Sequence, residues 1–439
     1  MARAKKKAAQ TAEEKLAAAL VPEAEQPYQV PENWCWVRLD GITRLVSTTG
    51  RAVKLKEVLS SGTYPVISQG ETSVEGYCDD ADKVIDEGQL ILFGDHTKVV
   101  KYIDEPFVVG ADGVKLFQAN KVDSKWLYYW LKYAAITIPA RGYARHYSLL
   151  RGLPVPLPPL PEQRRIVERV ESLFAKLDAA ESKLRDILAQ SETRRTAILH
   201  DAFSGKLTKA WRDEHGFSLS DWESSQLIDL CEKIFDGPFG SHLKSVDYIG
   251  SGIRVVRLEN LRHLSFDDSK RSYVSKDKYA TIQSHTVYPT DVLMSTFISD
   301  NVKVCQLPSH IEFAVNKADC IGIRPRPGVK ATWLLYSLAS NDTFLYLRSQ
   351  IHGSTRPRVN STQIKKIPLR VPPLPEQHKI ACRLDALFAK QDAADACVND
   401  ALSAIATLRQ TILARALRGE LGTNDPTEEN SLELLKTVL

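Results

Sequence analysis

Two loops rich in arginine lie at corresponding places in the two halves of this sequence. They are ARGYARHYS, beginning at Ala140, and HGSTRPRVNS, beginning at His352. Each follows a segment that starts with tryptophan and precedes a proline-rich stretch. Arginine can donate paired hydrogen bonds to guanine, asparagine can do so to adenine, and both contact phosphates. The loops therefore indicate recognition of nucleic acid, although solvated arginines on an ordinary surface loop would have the same composition.

Other polar residues could join these loops at base edges or phosphates. In the first half the best candidates lie in GDHTK, and in the second half they lie in GSHLK and in the run RVVRLEN. The predicted DNA contacts are His96, Thr97, Lys98, Arg141, Arg145, His146, Ser241, His242, Lys244, Arg254, Arg257, Asn260, Arg356, Arg358 and Asn360. For each of the histidines, a place in a surface turn is an equally good interpretation.

The sequence lacks the motifs that catalysis on DNA would need. An amino-methyltransferase needs a glycine-rich cofactor turn and an Asn/Asp-Pro-Pro-aromatic loop that holds the flipped base. The nearest string, DGPF from Asp236, has glycine where the first proline should be, and we interpret it as a tight turn. Neither a GxxxxGK[ST] phosphate loop nor an HExxH pair occurs. We predict no catalytic, cofactor-binding or metal-binding residue in this chain.

Length and composition favour a globular protein with more than one folding unit. At 439 residues the chain exceeds what one core usually serves. No run approaches the roughly 18 apolar residues of a membrane span, so no membrane partner is predicted. The basic start MARAKKKAAQ lacks the apolar core of a secretory signal, and the seven cysteines form no CxxC pair. These features predict a cytoplasmic protein with reduced thiols.

Positive charge is concentrated in the second half. Between residues 238 and 371 there are 19 Lys and Arg against 10 Asp and Glu, whereas residues 34–155 contain 15 against 14. The net charge of the whole chain is only +4. An excess of this kind favours a phosphate-rich partner, but a solvated basic face would produce it as well.

An internal repeat organises the chain. The segment LPPLPEQRRIVERVESLFAKLDAA, from Leu157, returns as VPPLPEQHKIACRLDALFAKQDAA, from Val371, at an offset of 214 residues. Trp126 in WLYYWLKY corresponds to Trp333 in WLLYSLAS, and apolar partners at helical spacing predict that both are core residues. Short β-like runs such as QLILF and DVLMSTF lie between these anchors. Each half is therefore predicted to contain a β-rich domain and one long helix, and the helices are more alike than the domains.

The two repeated segments have the pattern of a coiled coil. After Pro161 and Pro375, apolar residues alternate at spacings of four and three over several heptads. Gly205 and Gly419 are the predicted ends of the helices. The predicted coiled-coil and partner-docking residues are Ile166, Val170, Leu173, Leu177, Leu184, Ile380, Leu384, Leu387, Val398, Ile405, Leu408 and Ile412.

Chain order predicts the direction in which the helices pair. The first helix ends near Gly205 and the second domain starts close by, at Trp222, so the second helix returns antiparallel to the first. Each helix of roughly 40 residues would be about 60 Å long. Two different domains on such a spacer would suit a double-stranded DNA with two unlike half-sites, since dimeric readers address half-sites about 34 Å apart.

Two other classes of function also fit part of this pattern. A coiled-coil adaptor that joins protein partners, without reading a DNA sequence, would explain the helices and the duplication. It would leave the arginine loops and the positive charge of the second half unexplained. A self-contained methyltransferase-nuclease would need the motifs that the sequence lacks. Reading of a two-part DNA sequence therefore remains the preferred interpretation, with the adaptor as the alternative.

The sequence also resembles a known family, the specificity subunits of type I restriction-modification enzymes. The resemblance covers nearly the whole chain. It rests on the doubled PPLPEQ crossings with their helices, on AFSGKLTKAWRDEHG, and on ALRGELGTNDPTEENSLELLK. YPVISQG, IFDGPFGSHLKSVDYIGSGIRVVRLENL and the leader EEKLAAALVPEAEQPYQVPENW resemble the family too.

The resemblance implies two target-recognition domains and partners that carry the chemistry. Double-stranded DNA, two adenine-N6 methyltransferase (modification) subunits and motor-nuclease (restriction) subunits would be the partners. S-adenosylmethionine, ATP and Mg²⁺ would be bound by those subunits and not by this chain. The helices would set the gap between the half-sites and dock the methyltransferases. No base contact is transferred from the family, whose recognition loops vary too widely.

Together these observations predict an α+β fold with a pseudo-twofold internal repeat. Two β-rich target-recognition domains are separated by two long α-helices that form an antiparallel coiled coil. The predicted boundaries are a basic, helical leader at 1–33, the first domain at 34–155, a central helical spacer at 156–208, a linker at 209–221, the second domain at 222–371, a second helical spacer at 372–422 and a C-terminal tail at 423–439.

Overall fold

The computed structural model of the protein describes residues 11–110, 113–139, 145–351 and 357–439. Its contacts divide the chain into two compact units. Unit 1 comprises Met1–Leu184 and Asp400–Leu439, and unit 2 comprises Arg185–Asn399. Each unit therefore contains one β-rich domain and parts of both long helical segments. In the part of the chain that is described, no helix is both long and apolar enough to cross a membrane.

The first half contains a leader helix, ten strands and three short helices in its described residues. The helices are α1 (Ala12–Ala19), α2 (Leu39–Ile42), α3 (Ser124–Thr137) and α4 (Tyr147–Arg151). The strands are β1 (Cys35–Arg38), β2 (Thr43–Val46), β3 (Ala52–Val53), β4 (Tyr64–Ser68), β5 (Gly76–Cys78), β6 (Leu90–Gly94), β7 (Val100–Ile103), β8 (Val108–Gly110), β9 (Val114–Ala119) and β10 (Pro154–Leu157).

The second half repeats this layout after a helical connection. The strands are β11 (Glu223–Gln226), β12 (Cys231–Phe235), β13 (Tyr248–Ile249), β14 (Ile253–Val256), β15 (Ser272–Val274), β16 (Thr286–Val287), β17 (Val292–Ser295), β18 (Val304–Gln306), β19 (Ala314–Asn316), β20 (Cys320–Pro325) and β21 (Pro368–Val371). The helices are α5 (Leu160–Ala189), α6 (Ser191–Phe203), α7 (Lys209–His215), α8 (Lys276–Ile282), α9 (Ala331–Ala339), α10 (Asn341–Ser349), α11 (Ser361–Lys365), α12 (Leu374–Ala416) and α13 (Ser431–Val438).

The two domains have corresponding sheets although their sequences differ. An antiparallel sheet with strand order β2-β9-β6-β7 corresponds to one with order β12-β20-β17-β18. A mixed sheet pairs β4 with β8 in parallel, and its counterpart pairs β14 with β19 in parallel. The antiparallel pair β1 and β10 corresponds to β11 and β21. The shared topology, together with the helices, confirms the predicted fold class and the internal repeat.

Strands β6 and β17 are buried on both faces, which explains their unbroken apolar sequences. Side chains alternate between the two faces of a strand. In β6, Leu90 and Leu92 enter one apolar core while Ile91 and Phe93 enter another. In β17, Val292 and Met294 lie in one core and Leu293 in another. A strand covered on both sides is rich in aliphatic residues along its whole length.

The tryptophan-led helices are core elements, as the sequence predicted. Trp126 of α3 and Trp333 of α9 are both fully buried. Each indole packs in the main apolar cluster of its own unit, beside the start of a long helix. Base stacking by these two rings is therefore excluded in this conformation.

Within each unit the long helical segments run antiparallel. In unit 1, Arg409 of α12 forms ion pairs with Asp178 and Glu181 of α5, at 2.5 Å and 2.9 Å. In unit 2, Arg195 of α6 pairs with Asp392 of α12. The offset of 214 residues converts the Arg195–Asp392 pair into Arg409–Asp178. The repeat therefore preserves a specific contact as well as the apolar pattern.

The predicted seam is buried at its ends and more open in the middle. Ile166, Val170, Ile380 and Leu384 are buried against the domain cores, and Val398 and Ile405 are also buried. Leu173, Leu177, Leu184, Leu387 and Ile412 are half-buried. Leu408 is 48% exposed, so its predicted core position is wrong in the isolated chain.

Aromatic residues outside the heptad pattern contribute to this packing. Phe174 lies 5.9 Å from Tyr129 of α3, and Phe388 lies 5.5 Å from Tyr336 of α9, measured between ring centroids. The guanidinium of Arg409 lies over Phe174 and that of Arg195 over Phe388. The helices are therefore anchored to their own domains partly by these rings, which a strict heptad reading does not include.

The helix lengths differ between the two copies. α12 runs for 43 residues, in agreement with the prediction, whereas the first copy is divided into α5, with 30 residues, and α6, with 13. Main-chain hydrogen bonds at Gln190 span the division. Gly205 and Gly419 follow the helices with φ of +82° and +74°, as expected of residues that end a helix in the left-handed conformation.

The predicted C-terminal tail belongs to the core of unit 1. The N–H group of Ser431 donates to the carbonyl of Asn33 at 2.9 Å, and the Asn33 side chain donates to the carbonyl of Asp425. Leu435 of α13 is fully buried in the main cluster of unit 1. The division by contacts thus groups residues 423–439 with the first domain, because the amphipathic face of α13 is covered there.

Candidate nucleic-acid interface

In unit 1 the polar loops meet where β4 and β6 end. Gln69 directly follows β4, and its side-chain oxygen accepts from the N–H group of His96 at 3.1 Å. The hydroxyl of Thr97 donates to the carbonyl of Gln69 at 2.6 Å. Gly113 packs so closely here that an added Cβ would lie 2.8 Å from atoms of Gln69 and His96. The predicted candidates His96 and Thr97 are therefore held against a residue that the sequence analysis did not select.

Asp95 connects the arginine loop of unit 1 to this cluster. Its carbonyl accepts from the N–H group of His146 at 2.8 Å, and its carboxylate accepts from the N–H group of Tyr147 at 2.7 Å. Arg145 precedes these residues and is exposed. The structure thus brings Arg145 to the same side of the domain as Thr97, although 48 positions separate them in sequence. Arg141 lies outside the described residues.

Two candidates of unit 1 serve the fold in this conformation. His146 is only 2% exposed, and a ring nitrogen lies 2.9 Å from the carbonyl of Asp95. Its burial leaves no surface for a DNA contact, so we withdraw that prediction. Lys98 has φ of +62°, and its half-buried amine donates to the carbonyl of Ile138 at 3.0 Å. This lysine ties the loop to the end of α3, and its prediction as a DNA contact has not been tested.

In unit 2 the arginine loop is held by two aspartates. Arg358 forms an ion pair with Asp319, and its guanidinium lies 5.7 Å from the ring of Phe297. Thr296 donates its hydroxyl to the Asp319 carboxylate at 3.0 Å. The Asp236 carboxylate accepts from the N–H group of Asp319 at 2.9 Å. This network places Arg358 beside loops that leave β12, β17 and β19. Arg356 lies outside the described residues.

The loop after Asp236 is anchored at its base and exposed at its tip. A Cβ added to Gly237 would lie 2.1 Å from the main chain of Lys317, so only glycine fits this close approach. The interpretation of this glycine as a backbone element is confirmed. Phe239, by contrast, is 57% exposed. The predicted contacts Ser241, His242 and Lys244 follow it and are also exposed.

Two predicted contacts of unit 2 are buried structural residues. Arg254 is 6% exposed and pairs with Asp268 at 2.9 Å. Asn260 is 1% exposed, and its side-chain amide donates to the carbonyls of Asp267 and Lys270. Neither can reach a base edge in this conformation, and we withdraw both predictions. Their hydrogen bonds instead hold the loop between β14 and β15.

Arg257 and Asn360 have mixed roles. Arg257 is partly exposed, yet it forms an ion pair with Glu259 at 3.1 Å and lies 5.6 Å from the ring of Tyr248. Asn360 is exposed, and its side chain accepts from the N–H group of Gln363, which caps α11. Both remain predicted contacts that no observation tests.

The two polar clusters occupy corresponding places in the two domains. The unit 1 cluster lies after β4, β6 and β8, and the unit 2 cluster lies after β14, β17 and β19. The residues differ, with Gln69, His96 and Thr97 in one and Thr296, Asp319 and Arg358 in the other. The same scaffold therefore presents two chemically different surfaces. The described residues contain no group of His, Cys, Asp and Glu that could hold a metal ion.

Sequence reasoning missed the residues that organise these surfaces. They are Gln69 and Asp95 in unit 1, and Asp236, Thr296 and Asp319 in unit 2. A signal was present, because each follows a short apolar run and several lie next to glycine, as in SQG, FGD and FDG. Turn residues at the end of a buried strand are common in any β-rich domain, so this signal alone would not have selected them.

Burial raises the pKa of the Asp236 carboxyl, although hydrogen bonds from the N–H groups of Gly237 and Asp319 oppose the rise. Because its pKa is higher in the folded state, the carboxyl loses its proton in the unfolded chain first. Its ionisation therefore favours unfolding as the pH rises from about 4 towards the raised value. D236N keeps an oxygen that can accept both N–H bonds. We expect the unfolding temperature of D236N, relative to the unmodified protein, to increase between about pH 3 and pH 6.

Asp267 provides a control of opposite sign in the same unit. Hydrogen bonds from Ser269 lower the pKa of its carboxyl in the folded state. That effect stabilises the fold once the pH is above the unfolded pKa, and it is lost as the pH falls through the folded value. D267N should therefore lose stability relative to the unmodified protein as the pH rises. Equal pH profiles for both variants, recorded by thermal unfolding, would contradict the assignment for Asp236.

Comparison with known proteins places these surfaces in context. The family model described as "Type I restriction modification DNA specificity domain" matches residues 31–189 and 219–396. Each match contains one β-rich domain and the beginning of the long helical segment that follows it.

Curated relatives carry the same description. The chain is 25% identical over 422 residues to the EcoDI specificity subunit of Escherichia coli, a match that covers 90% of both chains. It is 30% identical over 285 residues to the StySPI specificity subunit of Salmonella potsdam. That match covers 61% of this chain and 57% of the Salmonella protein, and so spans little more than half of that relative.

Solved structures share the fold at lower sequence identity. The HsdS subunit from Thermoanaerobacter tengcongensis has a TM-score of 0.54 at 20% identity, covering 91% of this chain and all of that one. A chain solved in work on complex assembly and conformational transition of the type I R-M system has a TM-score of 0.64 at 21% identity. It covers 90% of this chain and all of that one. These likenesses support the two-domain architecture.

Proposed function

Because this chain belongs to the type I restriction-modification DNA specificity family, we propose that it selects the target sequence for a restriction-modification complex. Each β-rich domain reads one half of an asymmetric, two-part site in double-stranded DNA. The observation that carries this proposal is the pair of unlike polar surfaces on corresponding strand ends. One scaffold repeated with different loops provides two recognition specificities within one chain.

The chemistry of both surfaces suits contacts with DNA. Amide, hydroxyl and guanidinium groups are those that read base edges in the major groove, and lysine and serine contact phosphates. Unit 1 offers Gln69, Thr97 and Arg145, and unit 2 offers Ser241, Lys244 and Arg358. Hydrogen bonds within each loop reduce the freedom that binding would otherwise remove, which favours affinity and specificity.

We assign the chemical steps to partner subunits. Two adenine-N6 methyltransferase subunits would bind S-adenosylmethionine, and motor-nuclease subunits would use ATP and Mg²⁺, while this chain binds none of these cofactors and is not itself catalytic. The absence of the required motifs from the sequence supports this division. The helical segments, with exposed apolar residues such as Ile187 and Leu408, would dock the methyltransferases and set the gap between the half-sites. The complex would act in the cytoplasm, where its DNA substrate is found.

The first experiment is to co-express the protein with its methyltransferase partner and to map N6-methyladenine across a genome by single-molecule sequencing. An asymmetric, two-part motif with a constant unread gap is the expected result. A continuous motif, or methylation without any motif, would contradict the proposal. Complex formation together with unselective methylation would favour the adaptor alternative.

Exchange of one domain should change one half of that motif and leave the other half unchanged. Residues 34–155 would be replaced by the first domain of a relative with another target, and residues 222–371 would be exchanged in a second chimera. The reason is that each surface lies within one domain and shares no described residue with the other. Methylation mapping of both chimeras checks this, and a change in both halves from a single exchange would contradict it.

A further inference from the structure

Each long helical segment begins with the same buried Pro-Glu-Gln sequence. Glu162 and Gln163 open α5, and Glu376 and Gln377 open α12. All four polar side chains are buried, with exposures between 0% and 3%. Burying an ionisable or amide side chain is unfavourable unless its polar atoms are hydrogen bonded. Their partners therefore show what the two copies of this sequence do.

The glutamates connect three segments of chain within each unit. Glu162 accepts from the indole N–H of Trp34 at 2.6 Å, from the amide of Asn424 at 2.9 Å and from the hydroxyl of Thr423 at 3.2 Å. Trp34 immediately precedes β1, and residues 423–424 follow α12. The carboxylate thus links the start of one helix to the entrance of the domain and to the segment that leaves the partner helix.

Glu376 makes the same connection in unit 2. It accepts from the indole N–H of Trp222 at 2.8 Å, from the hydroxyl of Thr208 at 2.6 Å and from the guanidinium of Arg212 at 2.5 Å. Trp222 immediately precedes β11, and Thr208 follows α6. The donors to Glu162 are neutral, whereas Glu376 has a buried cationic partner in Arg212, so the two copies share their geometry and differ in charge.

The glutamines attach the tryptophan-led helices. Gln163 accepts from the main-chain N–H of Asp123, the residue before α3, at 2.8 Å, and donates to the carbonyl of Pro158 at 2.9 Å. Gln377 accepts from the main-chain N–H of Lys330, the residue before α9, at 2.9 Å, and donates to the carbonyl of Pro372 at 2.9 Å. Each amide thus bridges the crossing into the long helix and a core helix of the domain.

These contacts restrict rotation of a domain about its helix. The crossing between β10 and α5 is the short segment Pro158–Pro159, and its counterpart is Pro372–Pro373. Rotation about such a crossing would break both bonds of the glutamine and the indole bond of the glutamate together. The four side chains with their partners therefore form two joints, which we name joint 1 (Glu162 and Gln163) and joint 2 (Glu376 and Gln377).

We infer that joints 1 and 2 fix the direction in which each domain is held on its long helix, and thereby limit the gap that the protein accepts between its half-sites. The inference rests on the proposed function. Adding one base pair to the gap moves a half-site by about 3.4 Å and rotates it by about 35°. A domain held by a buried joint cannot follow that rotation without breaking the joint. The four residues are positioning residues and do not contact DNA.

The test is to map methylation by the assembled complex carrying Q163A or Q377A. Either substitution removes both bonds of one glutamine and leaves the recognition loops unchanged. We expect the unmodified complex to use one gap length. In the variants, methylation at gaps one base pair longer or shorter should rise roughly tenfold, which is the effect of losing two hydrogen bonds of ordinary strength. The bases read in each half should not change.

A milder pair of variants covers the case in which an alanine variant does not fold. Q163E and Q377E keep the oxygen that accepts the main-chain N–H but lose the donor to the proline carbonyl. They should relax the gap less than the alanine variants do. Because the chain contains two joints, each glutamine also serves as a comparison for the other in an otherwise identical protein.

The controls separate a loose joint from general loss of stability. L92A in β6 and L293A in β17 create cavities in the sheet cores, away from both joints. They should reduce thermal stability while the gap remains constant. If folded joint variants keep a single gap, or if the core variants relax it equally, the inference is overturned. If the unmodified complex shows no two-part motif, the proposed function itself fails, and that outcome does not depend on the joint variants.

Discussion

Replacing Glu376 by glutamine is expected to lower the free energy of unfolding of unit 2 by about 3–5 kcal/mol. Glu376 and Arg212 form an ion pair at 2.5 Å in which the two side chains are 0% and 4% exposed. The substitution leaves the guanidinium of Arg212 buried without its counter-charge. Loss of one partner of a buried pair costs far more than loss of an exposed pair, because solvent cannot replace the missing charge.

The measurement is denaturant-induced unfolding of the purified protein, with Glu162→Gln as the matched control. The donors to Glu162 are an indole, a hydroxyl and an amide, all neutral. A glutamine oxygen can still accept from the indole and the amide, so the control should lose only about 1 kcal/mol. Equal losses for the two variants would show that the charge of Arg212 is not what makes Glu376 important.

Removal of the Arg358 side chain is expected to weaken binding of the assembled complex to its DNA target by roughly tenfold to a hundredfold. Arg358 is half-exposed and is held by Asp319 beside the loops after β12 and β17. In R358A the carboxylate of Asp319 would remain at the surface without its counter-charge and would repel phosphates. The loss should be confined to recognition of the half-site that unit 2 reads.

Fluorescence anisotropy with a labelled duplex at several salt concentrations tests this expectation. A contact with a base would relax the preference at one position of the half-site, whereas a contact with a phosphate would reduce the salt dependence by about one unit of slope. R348A is the control, because Arg348 is an exposed arginine on α10 in the same unit. Unchanged affinity in R358A, or an equal loss in R348A, would remove Arg358 from the interface.

Much of the architecture follows from patterns that are local in the sequence. The repeat at an offset of 214 residues, the heptad spacing after each Pro-Glu-Gln and the apolar surroundings of Trp126 and Trp333 all predicted elements that the structure contains. Such patterns succeed because helix periodicity and burial are properties of neighbouring residues. The antiparallel direction also followed, from chain order alone.

The seam shows where local patterns stop being sufficient. Leu408 has the spacing of a core residue and is largely exposed, whereas Phe174 and Phe388 pack against their domains from outside the heptad positions. A heptad pattern describes how a helix packs against another helix. It does not include the domain that packs on the same helix, and here that domain decides which side chains are covered.

The candidate surfaces depended most on tertiary structure. Asp236 and Asp319 are 83 positions apart, and only the pairing of β12 with β20 in one sheet, and of β14 with β19 in the other, brings their loops together. Likewise, Arg254 and Asn260 have the residue types of DNA contacts but are buried. Arginine and asparagine can satisfy the main chain of a loop as readily as a base edge, so residue type alone does not distinguish the two roles.

The sequence was therefore sufficient for the repeat, the helices and the general kind of partner, because spacing, charge and resemblance are contained in it. Only the tertiary structure decided which polar residues reach the surface and which hold it in place. It also revealed the two joints, since the partners of Glu162 and Glu376 come from segments more than 100 residues away. The physical reason is that burial and hydrogen bonding depend on the whole fold, whereas periodicity depends on near neighbours.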